Sequence, residues 1–290
     1  MKIQSLSIVV PNTKCINKCK FCVSSIHKSK YENMLRQNNL YWDLYEKDYI
    51  NRLEFARDNG CNTVMLTGNS EPQQNRQFLK MFGSMNKQLT KPFRIIEMQT
   101  TGVLIDNDYL YFLRHHVGVN TISLSISSFR DKINQNYNGT KSELKVCLSE
   151  LCSKIKKYRF NLRISINLTD DFNALSPEKI LNYCKKELKA DQVTFRVLYE
   201  SNKNTEQDMW IKKHKANAKL IDNIKKYIRD NGRALEKLEF GNTKYSIKEM
   251  SVVLDDDCMS TDSKEALKYL ILRENCKLYS KWNDKGSLIF

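Results

Sequence analysis

The pattern of apolar and polar positions along this chain alternates between strand-like and helix-like periods. A first apolar run at residues 3–10 reads as a strand and ends at Pro11, which cannot donate to a β-ladder. Apolar residues then recur at helical spacing until Gly60. The same alternation predicts strands at 62–67, 93–98, 119–126, 160–168 and 192–198, and helices at about 74–88, 107–116, 142–157 and 177–188.

Six strands that alternate with helices predict parallel strands joined by right-handed crossovers. We therefore expect an α/β fold, a partial (β/α)6 barrel of the TIM type over residues 1–200, with its site at the carboxyl ends of the strands. The regularity breaks after residue 200. A lysine-rich helix at about 206–231 and strand-like runs at 236–240, 246–254, 267–273 and 277–282 predict a C-terminal α+β extension over 201–290, packed on the barrel's edge or across its mouth.

Composition narrows the class of protein. No run approaches eighteen apolar residues, and the first ten residues lack the basic flank and cleavage site of a secretion signal, so we expect a soluble, cytoplasmic protein without a membrane partner. The formal net charge of +15 suits nucleic acid or another anionic partner. The lysines are, however, dispersed along the chain among many asparagines, which is also what a general compositional bias produces.

Three of the nine cysteines, Cys15, Cys19 and Cys22, lie within eight residues in the loop after the first strand. A structural zinc or a fully ligated iron–sulfur cluster needs four ligands. His27 or Cys61 could supply the fourth, which would make a zinc or electron-transfer site. The other reading is that one coordination position stays open for a substrate, as in catalytic metal sites.

The spacing Cys-x3-Cys-x2-Cys, with Phe21 before the last cysteine and a βα-repeat around it, resembles the signature of the radical S-adenosylmethionine (radical SAM) enzymes. The resemblance implies that Cys15, Cys19 and Cys22 ligate a [4Fe–4S] cluster whose fourth iron chelates S-adenosylmethionine. It also implies that Phe21 lies near the adenine.

Later strand ends carry matching features. Residues Gly68, Asn69, Ser70, Glu71 and Pro72 resemble the family's Gly-Gly-Glu-Pro motif, which receives the amino group of the cofactor, although the second glycine is replaced. The segment that ends in Thr101 and Gly102 is similar to the family's Thr-Asn-Gly. Period-two alternation directs Ser123, Ser125 and Ser127 to one face, and Arg163, Ser165 and Asn167 repeat that pattern. By resemblance, Thr101, Ser125 and Asn167 join Gly68, Asn69, Ser70 and Glu71 as cofactor-binding residues.

The resemblance implies an enzyme, an oxidoreductase or lyase, in which the reduced cluster cleaves S-adenosylmethionine to a 5′-deoxyadenosyl radical that abstracts a hydrogen atom from substrate. An electron donor such as flavodoxin or ferredoxin is implied as a partner. The substrate is expected to be a small molecule, with nucleotides considered because the tail weakly resembles viperin-like members. Residues 201–290 are expected to set substrate specificity.

Two alternatives remain open at this point. Cys258, in the acidic loop after Asp255, could donate a hydrogen atom to a substrate radical, which would make the protein a radical epimerase of a sugar or peptide. Outside the enzymes, the three cysteines could stabilise a nucleic-acid-binding module through zinc or an iron–sulfur cluster.

Overall fold

The computed structural model of the chain describes residues 2–26, 42–238, 242–255, 266–282 and 285–289. Within them, eleven strands form one sheet. In chain order they are β1 (Lys2–Val9), β2 (Thr63–Thr67), β3 (Ile95–Thr100), β4 (Thr121–Ile126), β5 (Asn161–Leu168), β6 (Gln192–Val197), β7 (Arg233–Lys237), β8 (Thr243–Ile247), β9 (Met250–Asp255), β10 (Ala266–Leu272) and β11 (Leu278–Tyr279).

The helices lie mostly in the connections between these strands. The α-helices of the described residues are α1 (Val23–Ile26), α2 (Glu46–Asp58), α3 (Arg76–Gln88), α4 (Asn107–Phe112), α5 (Asp131–Tyr137), α6 (Leu148–Lys157), α7 (Pro177–Lys186), α8 (Glu206–His214) and α9 (Ala218–Asn231). Single turns of 3-10 helix occur at Trp42–Tyr45, Pro72–Gln74, Asp170–Phe172 and Lys285–Ser287, and a π-helical turn, Leu113–Val117, continues α4. None of the helices in the described part of the chain is long and apolar enough to cross a membrane.

The six strands predicted from periodicity, β1 to β6, are parallel and adjacent in chain order. Their inner and outer faces differ in chemistry. In β4, Ile122 and Leu124 are completely buried toward the helices, while Ser123 pairs with Arg163 of β5 on the other face. Branched apolar residues therefore form the core between sheet and helices, and polar residues face the inside of the curved sheet. This is the unclosed, parallel-dominated barrel that the alternation predicts.

The C-terminal extension joins the same sheet at both of its edges. Strand β9 pairs in parallel with β6, and β10 pairs in parallel with β1, so the parallel part grows from six strands to eight. Antiparallel β8 and β7 continue from β9, and antiparallel β11 continues from β10. The extension was expected at the barrel's edge or mouth; the structure shows it as part of the sheet, because β9 and β10 supply the backbone N–H and C=O partners that the edges of β6 and β1 need.

Two predicted helices differ from the observed ones: the first is divided, and the second begins later in the chain. The expected helix 206–231 is α8 and α9, separated at Lys215, whose backbone is extended and forms a bridge to Thr169. Asn217 then caps α9 by accepting a hydrogen bond from Leu220 N at 2.8 Å. The expected helix 142–157 begins only at Leu148, and α5, which the apolar spacing did not reveal, precedes it.

Candidate functional site

The loop with three cysteines begins where β1 ends, at the carboxyl edge of the parallel strands. Its backbone is tied to the end of α5: Lys18 N donates to Gly139 O at 3.2 Å, and Lys20 N donates to Tyr137 O at 2.9 Å. Gly139 has a φ of +56°, and a Cβ at this position would overlap the carbonyl group of Lys18. Only glycine allows the loop to pass this close to α5.

The other side of the loop is held by two side chains that follow β2. Gln74 Nε2 donates to Lys14 O at 2.9 Å, and its Oε1 accepts from Ile16 N at 2.8 Å. Asn75 Nδ2 donates to Pro11 O at 2.7 Å, while its Oδ1 caps α3. Hydrogen bonds therefore hold the backbone of the loop immediately before and immediately after Cys15.

Cys15, Cys19 and Cys22 are half-buried and have free thiols. Burial raises the pKa of the Cys15 thiol above its ordinary value. Burial also raises the pKa of the Cys19 thiol well above its ordinary value, and the neighbouring Cys22 and Cys15 raise it further. The three sulfur atoms thus lie close enough to act on one another electrostatically, and binding a metal to them would release protons.

No three His, Cys, Asp or Glu side chains among the residues that the structure describes converge on a point that would hold a single metal ion. The ligands of a [4Fe–4S] cluster do not need to converge, because each thiolate takes a different iron at the corner of a cube. Three thiols on one loop can therefore ligate three irons of such a cluster. The fourth iron is then left without a protein ligand.

Glu71 faces this loop from the end of β2 and is 3% exposed. Its Oε2 accepts hydrogen bonds from Thr101 N at 3.1 Å, from Thr101 Oγ1 at 2.8 Å and from Asn17 Nδ2 at 3.4 Å. Its Oε1 is buried and has no hydrogen-bond partner in the described part of the chain. Burial raises the pKa of Glu71, partly offset by the hydrogen bonds from its threonine neighbours. An orphaned carboxylate oxygen beside the cysteine loop is an acceptor suited to an ammonium group.

Asn17 links three elements of the site. Besides Glu71, its Nδ2 donates to Thr101 Oγ1 at 2.8 Å, and its Oδ1 accepts from Thr140 Oγ1 at 2.9 Å. The side chain is 5% exposed. Asn17 was not singled out in the sequence, where it reads as an ordinary loop residue between two of the cysteines. Its position between Cys15 and Cys19 was the available signal.

The turn after β2 shows how the replaced glycine is accommodated. Gly68 has a φ of +150°, and a Cβ there would lie 3.3 Å from Val10 N and 3.2 Å from a methyl group of Val9. Asn69, which stands in place of the family's second glycine, donates from Nδ2 to Glu274 Oε1 at 2.9 Å. Ser70 is half-buried between them and Glu71.

The predicted residues on β4 and β5 also lie at this end of the barrel. Ser125 is half-buried and pairs with Ser165, and Asn167 Nδ2 donates to Ser127 Oγ at 3.4 Å. Ser127 is completely buried, and its Oγ donates to Asn138 Oδ1 at 3.3 Å. Asn167 therefore contacts another polar side chain of the strand ends, whereas Ser125 lies one pair before them on β4.

Phe21 belongs to an aromatic group that the sequence did not predict. Its ring centroid lies 5.8 Å from that of Trp210, which stacks on His214 at 4.6 Å and meets Tyr137 edge-on at 4.9 Å. Asp170 accepts from Tyr137 OH at 3.0 Å and lies 3.0 Å from His214 Nδ1. These residues come from four separate elements, so no local motif announces them.

Two residues were considered as a fourth ligand, Cys61 and His27, and one as a hydrogen donor, Cys258. Cys61 cannot be a fourth ligand, because it is buried at the amino end of β2, where its Sγ donates to Thr63 O at 3.3 Å; the cysteine loop lies at the opposite, carboxyl end of the sheet. His27 and Cys258 lie outside the described residues, so the structure does not bear on either of them.

Comparison with known proteins agrees with this site. Residues 9–158 match the model of the radical SAM superfamily, which is more than half of the chain and includes the three cysteines, Glu71 and Ser125. No curated protein sequence matches the chain significantly.

Several solved structures share the fold. SuiB from Streptococcus suis bound to its precursor peptide SuiA has a TM-score of 0.58 at 16% identity, over 96% of this chain and 59% of that one. Native anSMEcpe with bound AdoMet has a TM-score of 0.58 at 14% identity, over 99% and 77%. Coproporphyrinogen III oxidase HemN from Escherichia coli, a radical SAM enzyme, has a TM-score of 0.55 at 14% identity, over 80% and 54%.

The chain thus spans 59% of the length of SuiB, and at these identities the likeness establishes the fold alone. The superfamily match establishes more, because members of this superfamily use a [4Fe–4S] cluster and S-adenosylmethionine and cleave the latter reductively. With its partial barrel and its three-cysteine loop at the strand ends, the chain belongs to the radical SAM superfamily of enzymes.

Proposed function

We propose that this protein cleaves S-adenosylmethionine at a [4Fe–4S] cluster held by Cys15, Cys19 and Cys22, and that it abstracts a hydrogen atom from a small-molecule substrate inside the barrel. One observation carries the proposal: Cys15, Cys19 and Cys22 lie on one loop that hydrogen bonds hold beside Glu71, a buried carboxylate whose Oε1 has no hydrogen-bond partner among the described residues. A cofactor that carries an α-amino acid group needs an iron with an open coordination position and an acceptor for its ammonium group. This site would offer both.

The chain's own residues position both groups. Cys15, Cys19 and Cys22 would each hold one iron of the cluster, which would supply the electron for reductive cleavage of S-adenosylmethionine. Asn17 and Thr101 orient the Glu71 carboxylate so that Oε1 is left for the amino group of the methionyl moiety. Ser125 and Phe21 are assigned to the remainder of the cofactor, on the inner face of β4 and at the end of the cysteine loop.

The barrel interior supports a small substrate. A cavity of about 610 Å³ lies on the inner face of the strands, lined mostly by residues from their amino-terminal halves, and residues of the β7–β8 hairpin, including Glu236 and Lys244, border it. Cavities of this size are typical of small-molecule sites.

We also propose that residues 201–290 set substrate specificity. Strand β9 contributes Asp255 to the cavity lining, and β10 contributes Lys268 and Tyr269, whereas Cys15, Glu71 and Ser125 all come from the first 200 residues. An electron donor of the flavodoxin or ferredoxin type is the partner that the cluster's reduction requires.

The proposal is tested with anaerobically reconstituted protein. We expect about four irons per chain and 5′-deoxyadenosine formation on reduction with S-adenosylmethionine. Cys15→Ala, Cys19→Ala and Cys22→Ala should each abolish both. Cys147→Ala, at an exposed thiol away from the loop, is the matched control and should retain both.

Two results would contradict the proposal. Cofactor cleavage by the triple cysteine variant would show that these thiols do not hold the cluster. Purification with stoichiometric zinc and no reconstitutable iron would favour the metal-stabilised nucleic-acid-binding module instead.

A further inference from the structure

The inner cavity is lined by an excess of basic side chains. Its charged lining residues are four cations, Arg163, Arg196, Lys244 and Lys268, and three anions, Glu97, Glu236 and Asp255. Buried or half-buried charges are stable only when each has a counter-charge or hydrogen bonds. The pairing of these groups therefore shows which charge the fold itself leaves uncompensated.

Two of the cations are paired within the barrel wall or hairpin. Arg163 NH1 lies 2.5 Å from Glu97 Oε2, and the same guanidinium donates to Gln192 Oε1 at 2.9 and 2.7 Å. Glu97 is 2% exposed and also accepts from Gln99 Nε2 at 3.3 Å. Lys244 lies 4.0 Å from Glu236 across the β7–β8 hairpin.

The third cation is paired across the gap between the last two parallel strands. Lys268 Nζ on β10 lies 3.6 Å from Asp255 Oδ1 on β9, and both side chains are about nine-tenths buried. The distance is too long for a hydrogen bond. Asp255 Oδ1 has no hydrogen-bond partner among the residues that the structure describes. Both members of the pair line the cavity.

Arg196 is the remaining cation. It is half-buried, and its Nε is fully shielded from solvent and has no hydrogen-bond partner within the described ranges. Within the residues that the structure describes, Arg196 has no carboxylate within ion-pair distance. An uncompensated guanidinium in a shielded wall is costly unless a ligand supplies an oxyanion.

Among the residues that line the cavity, Arg196 lies toward the carboxyl ends of the parallel strands. It pairs with Asn167 on β5 and with Asp255 on β9, at the carboxyl end of β6. The cysteine loop follows the carboxyl end of β1, so Arg196 lies toward the same end of the barrel. Burial raises the pKa of Tyr269, and Lys268, Asp255 and Arg196 all lie near enough to act on it. Arg196, Asp255, Lys268 and Tyr269 therefore form one group, which we call the seam cluster.

We propose that the seam cluster binds the oxyanion of the substrate, a carboxylate or phosphate, with Arg196 as its cation. The identification of the bound molecule as substrate rests on the proposed function, whereas the oxyanion site itself rests only on the residues of the cavity. Lys268 stays paired with Asp255 beside the site, and Tyr269 supplies a hydroxyl donor.

The test measures anion binding directly, by calorimetry, on the protein as purified and on cluster-loaded protein with S-adenosylmethionine but without reductant. The phosphate arm compares adenosine 5′-monophosphate with adenosine. The carboxylate arm compares benzoylglycine with benzoylglycinamide. We expect one charged member to bind and its uncharged counterpart to bind at least tenfold more weakly, and the arm that responds identifies the oxyanion.

Arg196→Gln should weaken binding of the charged probe by about tenfold or more, and Arg196→Lys should weaken it less, because it keeps the charge but loses the planar fork. Arg229→Gln, at an exposed arginine on α9, is the matched control and should bind as the wild type does. A second measurement does not depend on the folding of a variant: the bound probe should protect Arg196, and not Arg229, from phenylglyoxal as read by peptide mass spectrometry.

Equal affinity of Arg196→Gln and wild type, absence of binding in both arms, or an Arg196 that the probe does not protect would each overturn the inference. The outcome is separable from that of the proposed function. A protein that cleaves S-adenosylmethionine but fails these binding tests retains the function without the oxyanion site. A protein that binds the charged probe through Arg196 but holds no cluster retains the site without the function.

Discussion

Asn69 Nδ2 donates a hydrogen bond to Glu274 Oε1 at 2.9 Å, and this bond joins two residues that are 205 positions apart in the chain. Asn69 lies in the turn that resembles the family's cofactor motif, and Glu274 follows β10 in the C-terminal extension. Glu274 is 1% exposed, and its Oε2 lies 3.3 Å from Nε of the equally buried Arg273. The extension is therefore in direct contact with the turn that precedes Glu71.

Replacing this buried carboxylate should destabilise the protein and weaken cofactor binding together. Glu274→Ala removes the acceptor of Asn69 and takes a counter-charge from Arg273, for a loss of about 2–4 kcal/mol of unfolding free energy. Glu274→Gln still accepts from Asn69 and should lose less. Urea unfolding and equilibrium binding of S-adenosylmethionine provide the two measurements.

The control for this change is Glu249→Ala, which removes an exposed carboxylate 3.2 Å from Lys185. A surface pair of this kind contributes about 1 kcal/mol or less. If Glu274→Ala binds the cofactor as well as Glu249→Ala does, the contact between extension and turn serves stability alone.

Gly139→Ala should selectively impair assembly of the cluster. The new Cβ would overlap the carbonyl group of Lys18 and push the loop away from α5, at a backbone φ that also disfavours alanine. Iron content after anaerobic reconstitution should fall well below that of the wild type. Iron analysis and the visible absorption of the reconstituted protein provide the measurement.

Gly60→Ala is the control that separates backbone strain from displacement of the cysteine loop. Gly60 has a φ of +83°, but its added Cβ would meet nothing within 4 Å. It should therefore cost about 1–2 kcal/mol of stability through backbone strain and keep its full iron content. Equal iron loss in both variants would show that strain, and not displacement of the cysteine loop, limits assembly.

The stability of α8 should depend on pH through Asp208, which lies two residues before Trp210. Burial raises the pKa of this carboxyl, but hydrogen bonds from Ser201 and Thr205 lower it more, and the pKa lies well below its ordinary value. A depressed pKa stabilises the folded state above the unfolded pKa of about 3.9, and this contribution is lost as the pH falls further.

Asp208→Asn should accordingly unfold at lower urea concentration than the wild type near neutral pH. The gap should narrow at about pH 3, because the unfolded wild type then binds a proton at Asp208 while the folded state does not, and the variant lacks this group. Asp222→Asn, at an exposed position on α9, should show a small gap at both values. A gap for Asp208→Asn that does not change with pH would mean that the hydrogen bonds matter without the charge.

The positions of β1 to β6 follow from the sequence because period-two alternation and the Gly and Pro residues that end each segment are local properties. Predicted and observed strand ends differ by two residues or fewer, as for 93–98 against Ile95–Thr100. The site was less predictable. The cysteine loop and the Gly68–Glu71 turn are contiguous motifs, whereas Asn17 and the aromatic group of Phe21, Tyr137, Trp210 and His214 are gathered from separate elements.

By itself the sequence determined the alternating α/β order, the polar inner face of β4 and β5, and three thiols in one loop, since each depends on neighbours within a few residues. Only the tertiary structure decided that β9 and β10 join the two edges of the six-stranded sheet, that Glu274 contacts Asn69, and that Nε of Arg196 lacks a partner among the described residues while Lys268 pairs with Asp255. These relations depend on which distant strands pair and in what register, because the register decides which side chains share the inner face of the barrel.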